Sequence, residues 1–139
     1  MGAATAIMYL KENPGTVNCM ALDSGYATLI MLMQGMAGQM GIPPDFVHML
    51  VPMIDGAVHQ KAGFHLNDLD TESCAKECEV PAYFFHGQHD NFVVPEHSEK
   101  NYNAYKGTKK SFKKVMGDHN AERPQETIKE VCTFFKENM

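Results

Sequence analysis

Two short polar motifs, each placed directly after a strand-like run, constrain the fold of this chain most. The first is HGQHD at residues 86–90, and the second is GDHN at residues 117–120. Runs of this kind that end in glycine and polar residues are typical of buried β-strands. Open α/β sheets carry their functional groups at the carboxyl ends of parallel strands. We therefore expect Asp90 and His119 to lie at the same edge of one parallel sheet.

Three segments have the composition of strands, namely residues 17–22, 82–85 and 112–116. The first is a short continuous apolar run, as expected of a strand that is buried on both faces. Helical segments are predicted before, between and after the strands. Alternation of this kind predicts an α/β fold with three parallel strands and right-handed crossover helices.

The predicted helices have clear start and stop signals. Residues 3–12 are small or apolar and end at an Asn-Pro-Gly sequence, while Pro95 and Pro124 each stand where a helix can begin. The last helix is predicted to bury an apolar face with period 3.6. That face consists of Ile128, Val131, Cys132 and Phe135.

A methionine-rich segment at residues 27–66 is predicted to be a lid-like helical excursion from the sheet. Asp45 is expected to cap a helix that continues through Val58 and kinks or breaks at Pro52. Ordinary amphipathic packing is the favoured explanation of the methionines. The alternative is an adaptable apolar wall over an acyl chain, because thioethers adjust to irregular ligands.

Length and charge limit the classes of function. A chain of 139 residues suits a single domain, here expected to be the C-terminal half of a larger one. Its net charge of −5 makes a nucleic-acid partner unexpected. Four scattered cysteines indicate a reducing compartment, so we expect a cytoplasmic protein. No apolar window is long enough to predict a transmembrane segment.

Asp90 and His119 have the side chains for acid–base chemistry. In a catalytic triad the imidazole takes a proton from the nucleophile, while the carboxylate holds the imidazole in the required tautomer. Either residue alone is weak support for this role, since both motifs also form turns readily. Together they follow the acid-then-base order found in one large class of serine hydrolases.

Other polar residues favour structural roles. His86, His89 and His97 could be grouped with Asp90 and His119 as metal ligands, but their spacing matches no metal-binding motif. We therefore predict no metal and no cofactor, with His86 packed in the interior and His97 hydrogen-bonded near a helix start. Cys74 and Cys78, four residues apart, are expected to be core or surface thiols.

The chain resembles the C-terminal half of an α/β-hydrolase of the serine aminopeptidase-like branch, which includes esterases and thioesterases. The resemblance extends over nearly the whole sequence and is weakest in the methionine-rich segment. The matching residues are MGAA at 1–4, LDS at 22–24, Val80-Pro81, His86-Gly87, Asp90, Val94-Pro95, His97-Ser98, GDHN at 117–120 and Arg123-Pro124.

The resemblance implies a role for three positions. Asp90 would be the triad acid, and His119 would be the triad base. The backbone N–H of Met1 would be one oxyanion-hole donor, in a longer parent protein only. The serine nucleophile would directly precede Met1, so this chain alone would be inactive.

Two classes of function follow from these observations. The first is a serine hydrolase, with the parent protein cleaving an ester, thioester or amide in a small acyl or peptide-like substrate. The alternative is a non-catalytic interaction module or assembly subunit, in which the open edge of the strand at 17–22 binds a protein partner. A third and weaker possibility is a binding protein for a small lipid beneath the methionine-rich segment.

Overall fold

The computed structural model, which describes residues 1–139, contains one sheet of three parallel strands. The strands are β1 (Met20–Asp23), β2 (Ala82–Gly87) and β3 (Lys110–Val115), arranged in the order β1-β2-β3. The predicted α/β class with three parallel strands is confirmed. The strand ends differ from the predicted ones by a few residues, because each strand extends as far as its neighbour pairs with it.

The chain divides into two compact units. The first unit is Met1–Ala27 together with Thr71–Met139, and it contains the whole sheet. The second unit is Thr28–Asp70.

One face of the sheet in the first unit is covered by three helices, which share its main apolar core. They are α1 (Gly2–Glu12), the short α4 (Thr71–Ala75) and α5 (Glu96–Ala104). Helix α1 buries Ala4, Ile7 and Leu10, which are three residues apart and therefore lie on one side of the helix. Burial of a side chain such as Ile7 contributes roughly 1.5–3 kcal/mol to the free energy of unfolding.

Phe84 is the central aromatic residue of this core. Its ring meets the rings of Tyr102 and Tyr105 edge-on, at centroid distances of 5.7 and 5.4 Å. The hydroxyl of Tyr105 donates a hydrogen bond of 2.7 Å to the carbonyl of Val80, so its buried polar end is satisfied. These contacts fix α5 against β2, directly before the loop that leads into β3.

The last helix, α6 (Gln125–Asn138), packs differently from the prediction. Its buried residue is Thr127, and Phe134 contacts the ring of Tyr83 at a centroid distance of 5.7 Å. Glu130 accepts hydrogen bonds from Tyr83 and Lys113, at 2.6 and 2.7 Å. Glu130 and Phe134 therefore lie on the side of the helix that faces β2 and β3. Two members of the predicted apolar face, Ile128 and Cys132, are exposed.

The second unit consists of two helices and a 3-10 turn. They are α2 (Leu29–Gln39), α3 (Pro44–Ala62) and the turn Leu66–Asp68. One predicted detail is wrong here, because the N-cap of α3 is Pro43 rather than Asp45, which instead lies in the first turn. Of the kink or break predicted at Pro52, the break is absent, since α3 continues through that residue. A role of this unit as a lid stays a prediction.

None of the helices combines the length and the apolar character needed to cross a membrane.

The packing of Phe84 and Ile128 makes opposite predictions for two truncations. We expect Phe84→Ala to lower the free energy of unfolding by about 3–5 kcal/mol, because Phe84 is only 1% exposed and its removal leaves a cavity. Ile128→Ala is the matched control, since Ile128 is 44% exposed, and its effect should stay within about 0.5 kcal/mol. Urea denaturation followed by circular dichroism measures both. A large loss of unfolding free energy for Ile128→Ala would instead support the buried apolar face that was predicted from the sequence.

Candidate active site

The carboxyl ends of β2 and β3 bring the two polar motifs side by side. The strands are parallel and paired up to Gly87 and Val115, so the loops that follow them leave the sheet at the same edge. Beyond the strands the loops stay connected through the backbone. The N–H of Gln88 donates to the carbonyl of Val115 at 2.8 Å, and the N–H of His89 donates to that of Gly117 at 3.1 Å.

Asp90 and His119 meet at this edge. Nδ1 of His119 lies 2.7 Å from Oδ2 of Asp90. The carboxylate is fully buried, whereas the imidazole is 26% exposed. A carboxylate oxygen accepts hydrogen bonds, so Nδ1 carries the proton. In the neutral ring, Nε2 is then the nitrogen with a free lone pair.

The other oxygen of Asp90 is held by its own loop. Oδ1 accepts hydrogen bonds from the backbone N–H groups of Phe92, at 3.0 Å, and Val93, at 2.8 Å. The ring of Phe92 in turn stands edge-on to the imidazole of His119, with centroids 5.1 Å apart. Both members of the pair are therefore oriented by the loop that follows β2.

A second imidazole, that of His86, contacts the same carboxylate from within the protein. His86 is fully buried, and its Nε2 lies 3.2 Å from Oδ2 of Asp90 and 2.6 Å from the carbonyl oxygen of Val93. A carbonyl can only accept, so Nε2 carries the proton. Burial lowers the pKa of His86, which favours the neutral ring. Nδ1 then accepts from the hydroxyl of Ser98, 2.7 Å away.

His97 forms a separate buried contact in the same unit. Its Nδ1 accepts a hydrogen bond of 3.1 Å from the backbone N–H of Ala27, and its side chain is inaccessible to solvent. Burial lowers its pKa to about 4. Like His86, it is therefore a neutral imidazole at physiological pH.

Gly87 allows the two loops to approach each other this closely. A Cβ atom at this position would lie 2.7 Å from the carbonyl oxygen of Gly117 and 2.8 Å from that of Asp118. Both distances are shorter than any van der Waals contact allows. A side chain at residue 87 would therefore push the loop of His119 away from Asp90.

The remaining candidates lie apart from this pair. His89 is exposed and has only a long contact, of 3.4 Å, with the side chain of Gln88. Ser98 is bonded to His86, and Met1 is an exposed residue that precedes the first turn of α1. The oxyanion-hole role of the Met1 backbone stays a prediction. No group of three His, Cys, Asp or Glu side chains is arranged to hold a metal ion.

Sequence reasoning missed the contact between His86 and Asp90. It also missed the need for glycine at residue 87. A signal for the first was present, because a histidine within an apolar strand must find hydrogen-bond partners when it is buried. The second depends on the distance between two loops, which a single sequence does not show.

Solved structures show which known fold this arrangement belongs to. A monoacylglycerol lipase from Paleococcus ferrophilus matches 99% of this chain with a TM-score of 0.65 and 18% identity, over 65% of its own chain. An esterase from Pyrococcus furiosus matches 99% with a TM-score of 0.64 and 17% identity, over 50% of its length. Acetyl xylan esterase 1 from Thermoanaerobacterium matches 98% with a TM-score of 0.67 and 15% identity, over 42%.

The fold is that of part of an α/β-hydrolase. The chain spans about half to two thirds of the first two structures, and less of the third. At these identities the likeness shows the fold alone. No protein-family model matches the sequence, and a search of curated proteins found no match. In an α/β-hydrolase the acid precedes the base along the chain. Asp90 after β2 and His119 after β3 stand in that order.

The buried histidines predict how the stability of this α/β-hydrolase fold depends on pH. The folded-state pKa of His97, about 4, lies below the usual 6.5, so the unfolded chain binds more protons between these values. The stability that depends on the neutral ring of His97 is therefore fully present above pH 6.5 and is lost as the pH falls toward 4. We expect the free energy of unfolding of His97→Gln to fall less over this pH range than that of the wild type, by up to about 3 kcal/mol.

Urea denaturation of both proteins at a series of pH values measures this difference. The two curves should run parallel above pH 7, where any constant offset reports only the lost packing and hydrogen bond. If they also run parallel between pH 6.5 and pH 4, His97 does not contribute to the pH dependence.

Proposed function

We propose that this chain supplies the acid and the base of a serine hydrolase that cleaves an ester, thioester or amide. The observation that carries the proposal is the 2.7 Å hydrogen bond between Nδ1 of His119 and Oδ2 of Asp90. It leaves Nε2 of a partly exposed imidazole as the proton acceptor, which is the arrangement a serine nucleophile requires. The α/β-hydrolase fold and the order of the two residues support the same function.

The proposed mechanism assigns one step to each group. Nε2 of His119 takes the proton of a serine hydroxyl as its oxygen forms a bond to the substrate carbonyl carbon. The same proton then passes to the leaving group as the old bond breaks. Water, activated by the same imidazole, later hydrolyses the acyl-enzyme. Asp90 keeps Nδ1 protonated and stabilises the imidazolium that forms in both steps.

Surrounding groups keep the acid in position. The amides of Phe92 and Val93 donate to Oδ1 of Asp90, and Nδ1–H of His119 donates to Oδ2. A carboxylate held on both oxygens cannot rotate away from His119. By the resemblance described above, the serine would directly precede Met1 in a longer protein, with the backbone N–H of Met1 as an oxyanion-hole donor. A small acyl or peptide-like molecule is the proposed substrate.

Labelling with a fluorophosphonate probe tests this function. We expect a protein extended upstream through a Gly-x-Ser sequence to be labelled, and His119→Gln to abolish labelling. Asp90→Asn should slow it by about 10⁴-fold, the effect of this substitution in an established triad, because the wrong tautomer is then favoured.

His89→Gln is the control for the labelling experiment. It removes an exposed imidazole from the same loop as Asp90 and should leave labelling unchanged. Absence of labelling in the extended wild-type protein, or equal labelling of His119→Gln, would refute the proposed function.

The open edge of β1 favours a second candidate, an interaction module. β1 pairs only with β2, and the N–H groups of Met20 and Ser24 point toward that neighbour. Because N–H directions alternate along a strand, those of Ala21 and Asp23 point outward at the free edge. Such an edge can bind a strand of another chain.

Replacement of Ala21 by proline tests this second function. Proline removes the outward N–H while the bonds to β2 stay intact, and it is tolerated in edge strands. In sedimentation velocity we expect concentration-dependent association of the wild-type chain and a monomer for Ala21→Pro. A wild-type chain that stays monomeric at all concentrations would count against strand addition at β1.

A further inference from the structure

Arg123 ties the loop that carries His119 to the far strand of the sheet. Its Nη1 donates a hydrogen bond of 2.8 Å to the carbonyl oxygen of Asp118, the residue directly before His119. At its other side, Nε lies 2.8 Å from Oδ2 of Asp23 and Nη2 lies 2.9 Å from Oδ1 of Asp23. Asp23 is the last residue of β1, so one side chain connects β1 to the backbone of the base.

The loop is closed on the other side of His119 by Asp118 itself. Its Oδ1 accepts hydrogen bonds from the backbone N–H groups of Asn120, at 2.9 Å, and Ala121, at 2.8 Å. The backbone is thus held before and after the imidazole. Arg123 itself makes no hydrogen bond to the imidazole or to Asp90, so any effect it has on the pair acts through the backbone.

The contacts of Arg123 use the shape of a guanidinium, not only its charge. Nη2 also donates to the hydroxyl of Ser24 at 3.2 Å, and the side chain is only 8% exposed. Among the 12 Lys and Arg residues of the chain, Arg123 is the only arginine. A planar group with five N–H donors can bind a carboxylate with two of them and a carbonyl with another, which an ammonium group cannot do.

The end of each strand is adapted to this side chain. Ser24 has a φ of 50°, in the left-handed region, and its hydroxyl donates to Oδ1 of Asp23 at 2.9 Å. At the end of β2, a Cβ atom on Gly87 would stand 3.1 Å from Nη1 of Arg123. The guanidinium therefore lies across the carboxyl ends of β1 and β2 and binds the loop after β3.

We infer that Arg123 is a positioning residue, which holds the imidazole of His119 against Asp90 by fixing the Asp118 carbonyl to the end of β1. Its catalytic meaning rests on the proposed function, but the positioning itself is a property of the 139-residue chain. An exposed ion pair would contribute little. Here the bidentate contact and the burial of the arginine make the connection rigid.

Proton NMR of the 139-residue chain tests the positioning. The Nδ1–H of His119, bonded to a carboxylate, gives a low-field resonance that His119→Gln identifies by its loss. In Arg123→Lys we expect this resonance to disappear through exchange with water, while the amide signals of β2 and β3 keep their positions. Asp23→Asn removes the carboxylate charge that Arg123 binds. It should therefore also broaden this resonance through faster exchange with water.

Lys114→Gln is the matched control for these variants. Lys114 lies near the end of β3, and the substitution removes its ion pair of 2.6 Å with Glu99. Both side chains are well exposed. The low-field resonance should be unchanged. If Arg123→Lys and Asp23→Asn both keep it with the wild-type exchange rate, Arg123 does not position His119. If Arg123→Lys fails to fold, the result for Asp23→Asn decides alone.

In a protein extended through the nucleophile, Arg123→Lys should lower kcat by about 100-fold, the effect of a displacement of about 1 Å, with KM changed less than about twofold. A fall in kcat/KM caused by KM alone would overturn the inference. If Arg123→Lys loses the NMR resonance but the extended wild-type protein is inactive, the positioning stands. The proposed hydrolase function is then refuted instead.

Discussion

The buried carboxylate of Asp90 is the group on which the arrangement of this edge of the sheet depends. A carboxylate removed from water is strongly destabilising unless hydrogen-bond donors replace the water. Asp90 has three such donors: the amides of Phe92 and Val93 and Nδ1 of His119. They come from the loop after β2 and from the loop after β3. Because β2 and β3 are parallel neighbours, both loops begin at the same edge of the sheet.

The middle of the sheet and its carboxyl end differ in the polarity of their buried side chains. Toward the middle of the strands, Leu22 and Phe84 pack with the apolar face of α1. At the carboxyl end several buried side chains are polar, and His86 and His97 each have a hydrogen-bond partner. Burial lowers the pKa of both imidazoles, so they orient their surroundings without adding positive charge. Hydrogen bonds of this kind favour one geometry, because each partner has a defined direction.

Local sequence signals predicted the elements of this fold well. Apolar runs with polar ends located the strands, and Pro95 and Pro124 marked the helix starts within about one residue. The proximity of Asp90 and His119 followed from strand order and from the rule that parallel strands end at one edge. Periodicity was only partly right for α6, since Glu130 contacts β2 and β3 and two of the four residues of the predicted apolar face are exposed.

Contacts between distant residues could not be predicted in the same way. Asp23 and Arg123 are 100 positions apart, and neither stands in a pattern that refers to the other. Pro52 shows the opposite limit, since its local preference predicted a kink or a break, and α3 continues through it without a break. Local rules state what a segment prefers, whereas the surrounding structure decides whether that preference is met.

The pair of Asp90 and His119 is held by groups of a single unit. All three donors to Asp90 lie between Phe92 and His119, and Arg123 connects the carbonyl of Asp118 to Asp23 at the end of β1 in the same unit. Its geometry therefore needs no group from outside this unit. Under the proposed function, a nucleophile would add the ability to form a covalent bond and would meet an imidazole that is already oriented. Orientation of this kind, set before the substrate arrives, is a large part of what an enzyme contributes to a reaction.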